Sequence, residues 1–161
     1  MHNTLLAVIL LTLQFVAQAA DRTPPAHSKA FDGTAEIALQ AMTLRAQELK
    51  IQGVGVISYI PGDTTRSWSS KMVVVGKMIN EPGNGNNGAN LLAIAYTKAC
   101  EMAQTLKNSG HAGRPVMTGE TGWEGGRIRK VTGGYLIAAF SGGPSEDDLK
   151  VAQAGLDAFA D

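Results

Sequence analysis

Hydrophobic positions change period several times along the chain, and each change marks an element. Between Thr34 and Lys50, Ile37, Ala41 and Leu44 recur at helical spacing and predict a first helix, which Gln52-Gly53 ends. Val54 to Ile60 follows as an apolar strand. Pro61-Gly62-Asp63 is a turn, and Arg66 to Lys77 returns as a second strand of the same hairpin. Asn90 to Lys107 is the clearest helix. Leu92, Ala95, Ala99, Met102 and Leu106 form one stripe, with Asn90 as N-cap and Gly110 as the C-terminal stop. Lys98 and Glu101 fall beside that stripe and read as solvent-exposed, or alternatively as a buried contact to a second subunit. Arg127–Val131 and Tyr135–Phe140 make a second hairpin around Thr132-Gly133-Gly134. The unbroken apolar run Tyr135–Phe140 fits a strand covered on both faces. In the last helix Leu149, Ala152, Leu156 and Phe159 share a face, and Glu146, Asp147 and Asp148 occupy the first turn, where the helix dipole favours negative charge. The order is α-β-β-α-β-β-α. This is an α+β fold, a mainly antiparallel sheet of about four to five strands packed by helices.

The N-terminus has a different pattern. Leu5 to Leu13 is almost wholly apolar and Ala17-Gln18-Ala19 has the small residues of a cleavage site, so residues 1–19 read as a signal peptide. The run is short for a membrane span. Met1 to Thr4 lacks Lys and Arg, which keeps an uncleaved anchor as the alternative. Residues 20–32 then form a flexible leader and 33–161 a single domain. The expected compartment is periplasmic or extracellular, with no stable membrane insertion after cleavage. Fourteen basic and fourteen acidic residues cancel, and no basic stripe is present, which argues against a nucleic-acid partner. The only cysteine, Cys100, cannot form an intramolecular disulfide and reads as a small buried hydrophobe; an intermolecular disulfide or a soft metal ligand is the sharper alternative.

Several stretches are candidates for chemistry. Gly83-Asn84-Gly85-Asn86-Asn87-Gly88 spells G-x-G-x-x-G, but Asn80-Glu81-Pro82 separates it from any strand, and no acidic residue follows at the right distance. A loop is the better assignment. Ser141 lies outside any G-x-S-x-G elbow and reads as a turn residue. The turn Ser141-Gly142-Gly143 is either structural or an anion seat at a helix start, and the acids behind it favour the structural role. His111 follows the long helix and is a candidate axial haem ligand or general base, or simply solvated. With one candidate His in the domain and one Cys, no metal site is assigned. Gly119-Glu120-Thr121-Gly122-Trp123-Glu124-Gly125-Gly126 sets two carboxylates around a tryptophan among glycines. Either it walls a pocket for a planar ligand, or Trp123 plugs the core while the glutamates pair with Arg114, Arg127 or Arg129. In the first case His111, Arg114, Glu120 and Trp123 are the ligand-binding residues. Catalytic residues are not assigned.

The closing motif S-G-G-x-x-x-x-D-x-x-V-A-x-A-G-L, Ser141 to Leu156, resembles that of the GlcG/HbpS/PduO-C-terminal family, often described as haem-binding or haem-degrading. Ala95-Tyr96-Thr97-Lys98-Ala99 is similar to the family's alanine-rich helix. Gly113-Arg114-Pro115 is similar to the G-R-P step after it, and Gly125-Gly126-Arg127-Ile128 to the start of the next strand. After the first strand the family usually has Asp and paired glycines; Ser58-Tyr59-Ile60-Pro61-Gly62-Asp63 stands there instead. The resemblance implies a haem or related tetrapyrrole ligand and a homo-oligomer. It leaves a haem-degrading enzyme and a non-catalytic accessory subunit as the alternatives.

Overall fold

The computed structural model describes residues 26–159. The signal-peptide assignment and the start of the leader lie outside the described residues. Two units divide the chain, Met1–Ala30 and Phe31–Asp161, and the sheet, the cleft and every contact below belong to the second. Helix α1 (Ala26–Glu48) precedes strands β1 (Gly53–Pro61) and β2 (Ser69–Val75). Two short strands, β3 (Ile79–Asn80) and β4 (Ala89–Asn90), lead into α2 (Leu91–Thr105). Strands β5 (Gly126–Val131) and β6 (Gly134–Ser141) and helix α3 (Ser145–Asp157) complete the order. The fold is α+β, with a four-stranded antiparallel sheet in the order β2-β1-β6-β5 and a separate two-stranded sheet, β3-β4.

β1 and β6 lie in the middle of the sheet, pairing from Val54 with Ser141 to Pro61 with Gly134. Their side chains alternate between two cores. Ile57, Tyr59, Leu136, Ala138 and Phe140 pack with α1 and α3. Val54, Val56, Ile60, Ile137 and Ala139 pack with α2. Covering both faces is why neither strand alternates with polar residues.

Several expectations need correction. α1 is described from Ala26, inside the span assigned to the leader and ahead of Thr34. Its buried face carries Ala35, Ala38, Leu39, Met42 and Ala46, whereas Ile37 and Leu44 are 59% and 53% exposed. Small residues let α1 approach closely: a Cβ on Gly155 of α3 would stand 2.8 Å from Met42. α1 ends in a Schellman arrangement in which Lys50, at φ 56°, takes the left-handed position usual for glycine. Ile51 N–H donates to Ala46 and Lys50 N–H to Gln47. β2 begins at Ser69, not Arg66, which leaves Asp63–Trp68 as an open loop. α2 is capped by Asn90, whose side chain accepts from Ala93 N–H at 2.9 Å. It stops at Leu106 (φ 54°) rather than at Gly110. The Gly83–Gly88 segment is a hairpin tip between β3 and β4, with Asn84 and Gly85 both at positive φ. β4 therefore stands between the glycines and α2, and the strand–glycine–helix geometry of a dinucleotide site is not formed.

Candidate functional site

Two polar systems are built on α2. The first is internal. Lys98 and Glu101, expected in solvent, are 2% and 1% exposed. Lys98 Nζ donates to Asp148 Oδ2 at 2.8 Å and to the Phe140 carbonyl at 2.7 Å. Asp148 Oδ1 accepts the Gly143 N–H at 2.9 Å. Burial pushes the Asp148 carboxyl up, while Lys98 and the N–H groups of Gly143 and Gly142 pull it back. The Ser141-Gly142-Gly143 turn thus already holds an anion, the protein's own Asp148, as its structural role requires. Glu101 Oε1 accepts from Gly110 N–H at 2.7 Å and fixes the start of the loop that follows α2. Its Oε2 and the Ser109 hydroxyl are buried without a hydrogen-bond partner among the described residues.

The second system lies in that loop, Lys107–Gly125, which holds neither helix nor strand. The Arg114 guanidinium grips Glu120 bidentately, Nη1 to Oε2 at 2.8 Å and Nη2 to Oε1 at 2.6 Å. Met117 N–H adds a third bond to Glu120 at 3.0 Å. Arg114 first, then the Met117 N–H, lower the Glu120 carboxyl to about 2. Arg114 Nη2 also donates to Gln104 Oε1 on α2 at 2.6 Å. His111 Nε2 lies 3.3 Å from Glu124 Oε1, an ion pair whenever the imidazole is protonated. Trp123 is 55% exposed and does not plug the core. Of the four residues assigned to a ligand, the structure joins Arg114 to Glu120. No hydrogen bond, ion pair or ring contact among the described residues ties His111 or Trp123 to that pair.

A cleft of about 580 Å³ opens between the Asp63–Trp68 loop and the C-terminal half of α2. Trp68, Ala103 and Leu106 give it apolar walls, and Arg66, Cys100 and Gln104 give it polar ones. Thr65 Oγ1 donates to the Ala103 carbonyl at 2.5 Å and ties the loop to the helix. Trp68 leans on Tyr96, with ring centroids 6.3 Å apart. The Tyr96 hydroxyl is itself 3.2 Å from Ser70 Oγ. Cys100, expected in the core, is exposed at the cleft. Partial burial, and then the nearby Glu120 carboxylate, push its thiol up. The Arg114–Glu120 pair reaches the cleft through Gln104, which lines it. Arg66 and Gln104 were not legible as site residues, and Cys100 was read first as a buried hydrophobe. The available signal was Trp68 next to the turn residues Asp63–Ser67, in a segment whose polarity suits a loop better than a strand.

Comparison of the chain with family models, with curated proteins and with solved structures finds no match. No helix among the described residues is long and apolar enough to cross a membrane. Among the same residues, no group of three His, Cys, Asp or Glu side chains is placed to hold a metal ion.

Proposed function

We propose that this is an exported small-ligand-binding protein whose site is the Trp68–Leu106 cleft, with haem or a related tetrapyrrole as the leading ligand class. The observation that carries it is the cleft itself. Its volume lies within the ordinary range for small-molecule sites, roughly 300–1,000 Å³, and an indole, a leucine and an alanine line it beside an arginine and an amide. The tetrapyrrole class rests on the resemblance of Ser141–Leu156 to the haem-associated family, and export on the pattern of residues 1–19.

The lining suits the ring and the acid groups of a porphyrin: apolar walls for the former and Arg66 for the latter. It offers iron Cys100, whose raised thiol disfavours the thiolate a metal needs, and the Asp63 carboxylate, which Lys130 already engages at 2.6 Å. His111 lies outside the cleft lining. A metal-free tetrapyrrole therefore fits the described residues better than one held through iron. Titration of the purified protein with protoporphyrin IX and with haem, followed by tryptophan fluorescence, tests the proposal. Saturable quenching that Trp68→Phe abolishes and Trp123→Phe leaves intact supports the cleft. Absence of saturable binding by either compound sinks the ligand class. Conversion of haem to products in the presence of a reductant would shift the function to the degrading enzyme. We also propose a homo-oligomer, supported by the exposed Ile37 and Leu44 on α1.

A further inference from the structure

We propose that the cleft selects ligands carrying an anionic acceptor group, such as a carboxylate, through Arg66 and through a Gln104 amide whose orientation Arg114 fixes. This deepens the assignment of the cleft as the ligand site and rests on it.

The argument begins with what each polar group has left to offer. Arg114 has only donors, so the Gln104 atom 2.6 Å from its Nη2 must be the carbonyl oxygen. Arg114 cannot swing away freely, because Glu120 holds it at two points and Met117 N–H holds Glu120 in turn. With Oε1 turned to Arg114, the Gln104 NH₂ group is the end left without a protein partner among the described residues. Gln104 lines the cleft. An unrestrained glutamine turns its amide over freely; here Arg114 holds one orientation and so favours donation over acceptance.

The charges point the same way. Two charged side chains line the cleft, Asp63 and Arg66. Asp63, largely exposed, pairs with Lys130 Nζ at 2.6 Å. Arg66 makes no hydrogen bond or ion pair among the described residues. Of the threonine hydroxyls, that of Thr65 is spent on the Ala103 carbonyl. The Arg114–Glu120 pair behind the wall cancels itself. Beside the Thr64 and Ser67 hydroxyls, which can donate or accept, the lining carries one guanidinium without a counter-charge and one oriented amide on apolar walls. A carboxylate satisfies both, through charge-assisted hydrogen bonds. A neutral ligand leaves the guanidinium without a counter-charge, and a cationic one is repelled.

Cys100 supplies a reporter inside the cleft that needs no natural ligand. Alkylation of the full-length protein by iodoacetate, an anion, and by iodoacetamide, its neutral isostere, reads the local potential as a ratio of rates. Changes in thiolate fraction cancel in that ratio. Relative to wild type, Arg66→Met should lower the iodoacetate-to-iodoacetamide ratio on the order of fivefold, the scale of one partly screened charge at short range. Gln104→Glu should lower it by a similar factor, and Gln104→Met by less. Circular dichroism confirms that each variant is folded. A ratio unchanged in both Arg66→Met and Gln104→Glu overturns the inference, even where porphyrin binding persists. Porphyrin that fails to bind while the ratios shift as expected would count against the tetrapyrrole and leave the anion selectivity standing.

Discussion

Two ion pairs are built on or beside the same helix, and they differ in almost everything but length. Lys98–Asp148 measures 2.8 Å with side chains 2% and 4% exposed. Arg114–Glu120 measures 2.6 Å with side chains 25% and 11% exposed. The first joins α2 to α3 and to the Phe140 carbonyl of the central strand β6. The second braces a long loop and reaches α2 only through Gln104. The carboxyls also depart from their usual values in opposite directions, Asp148 raised by burial and Glu120 lowered by its guanidinium. A buried pair contributes to the fold mainly because removing one partner strands the other. The half-buried Arg114–Glu120 pair lies outside the core, braces the loop and is expected to contribute less to stability than the buried one. One pair is therefore expected to govern folding and the other the cleft.

The largest test strikes the buried pair. Lys98→Met leaves Asp148 uncompensated and should lower stability by about 3–5 kcal/mol in denaturant unfolding. Adding Asp148→Asn removes the stranded charge and keeps an acceptor for Gly143 N–H, so the double variant should be more stable than Lys98→Met alone. A double variant as weak as the single one would show that the pair is not the unit. The neighbouring turn follows. Gly142 has φ +155°, and a Cβ there would run into the Gln52 carbonyl. Gly142→Ala should therefore cost on the order of 1–3 kcal/mol. Porphyrin affinity per folded molecule should not change, since Asp148 already fills the turn. A variant that melts normally yet loses binding would move the turn into the site.

Self-association gives the next test, smaller in folding terms because it acts on a surface. Ile37→Glu with Leu44→Glu should shift the light-scattering mass towards a monomer and leave the melting transition cooperative. A wild type that is already monomeric at micromolar concentration would remove the oligomer, and Ile37 and Leu44 would then be ordinary exposed side chains.

How much of this was written in the sequence can be read residue by residue. Strands with continuous apolar runs, glycine-bounded turns and the Asn90 cap were legible because their determinants are local. The choice of face on α1 was not. Its apolar residues run around the helix, and the bulkier Ile37 and Leu44 outweigh Ala35, Ala38 and Ala46 in any pattern of size. The alanine face wins because it lets Met42 seat against Gly55 and Gly155, an approach that depends on residues distant in sequence. Lys98 was partly legible: it stands three residues after Ala95 and four before Met102, on the buried lattice itself. Its partner Asp148 is fifty residues away, and nothing local announces it. The cleft was the least legible part. Its walls come from a loop and a helix end, and its polar character comes from a chain of contacts, Glu120 to Arg114 to Gln104, that only tertiary structure assembles.

The smallest effect expected in folding terms is the most direct measure of the rim pair. Arg114 and the Met117 N–H hold the Glu120 carboxyl near 2 in the folded protein, whereas in the unfolded chain it titrates at the ordinary glutamate value. A depressed folded value means that the contribution of the pair is complete above the unfolded pKa. It drains as pH falls and is lost on passing about 2. The carboxyl carbon shift of Glu120, followed by NMR, should stay flat through the range where free glutamates titrate and move only near the bottom of the acid range. Glu120→Gln removes a half-buried pair whose contribution is complete at neutral pH, so it should melt below wild type there, though by less than Lys98→Met. It should also lose part of the acid-dependent decline in stability. In the same variant Arg114 loses its bidentate grip, and the Gln104 amide becomes free to turn. The two predictions therefore meet: the Glu120→Gln protein should discriminate less between a carboxylated ligand and its neutral ester while remaining folded. A Glu120 midpoint at the ordinary glutamate value would mean that the guanidinium does not hold the carboxylate in solution. The rim pair would then differ from Lys98–Asp148 by being absent rather than by being less deeply buried.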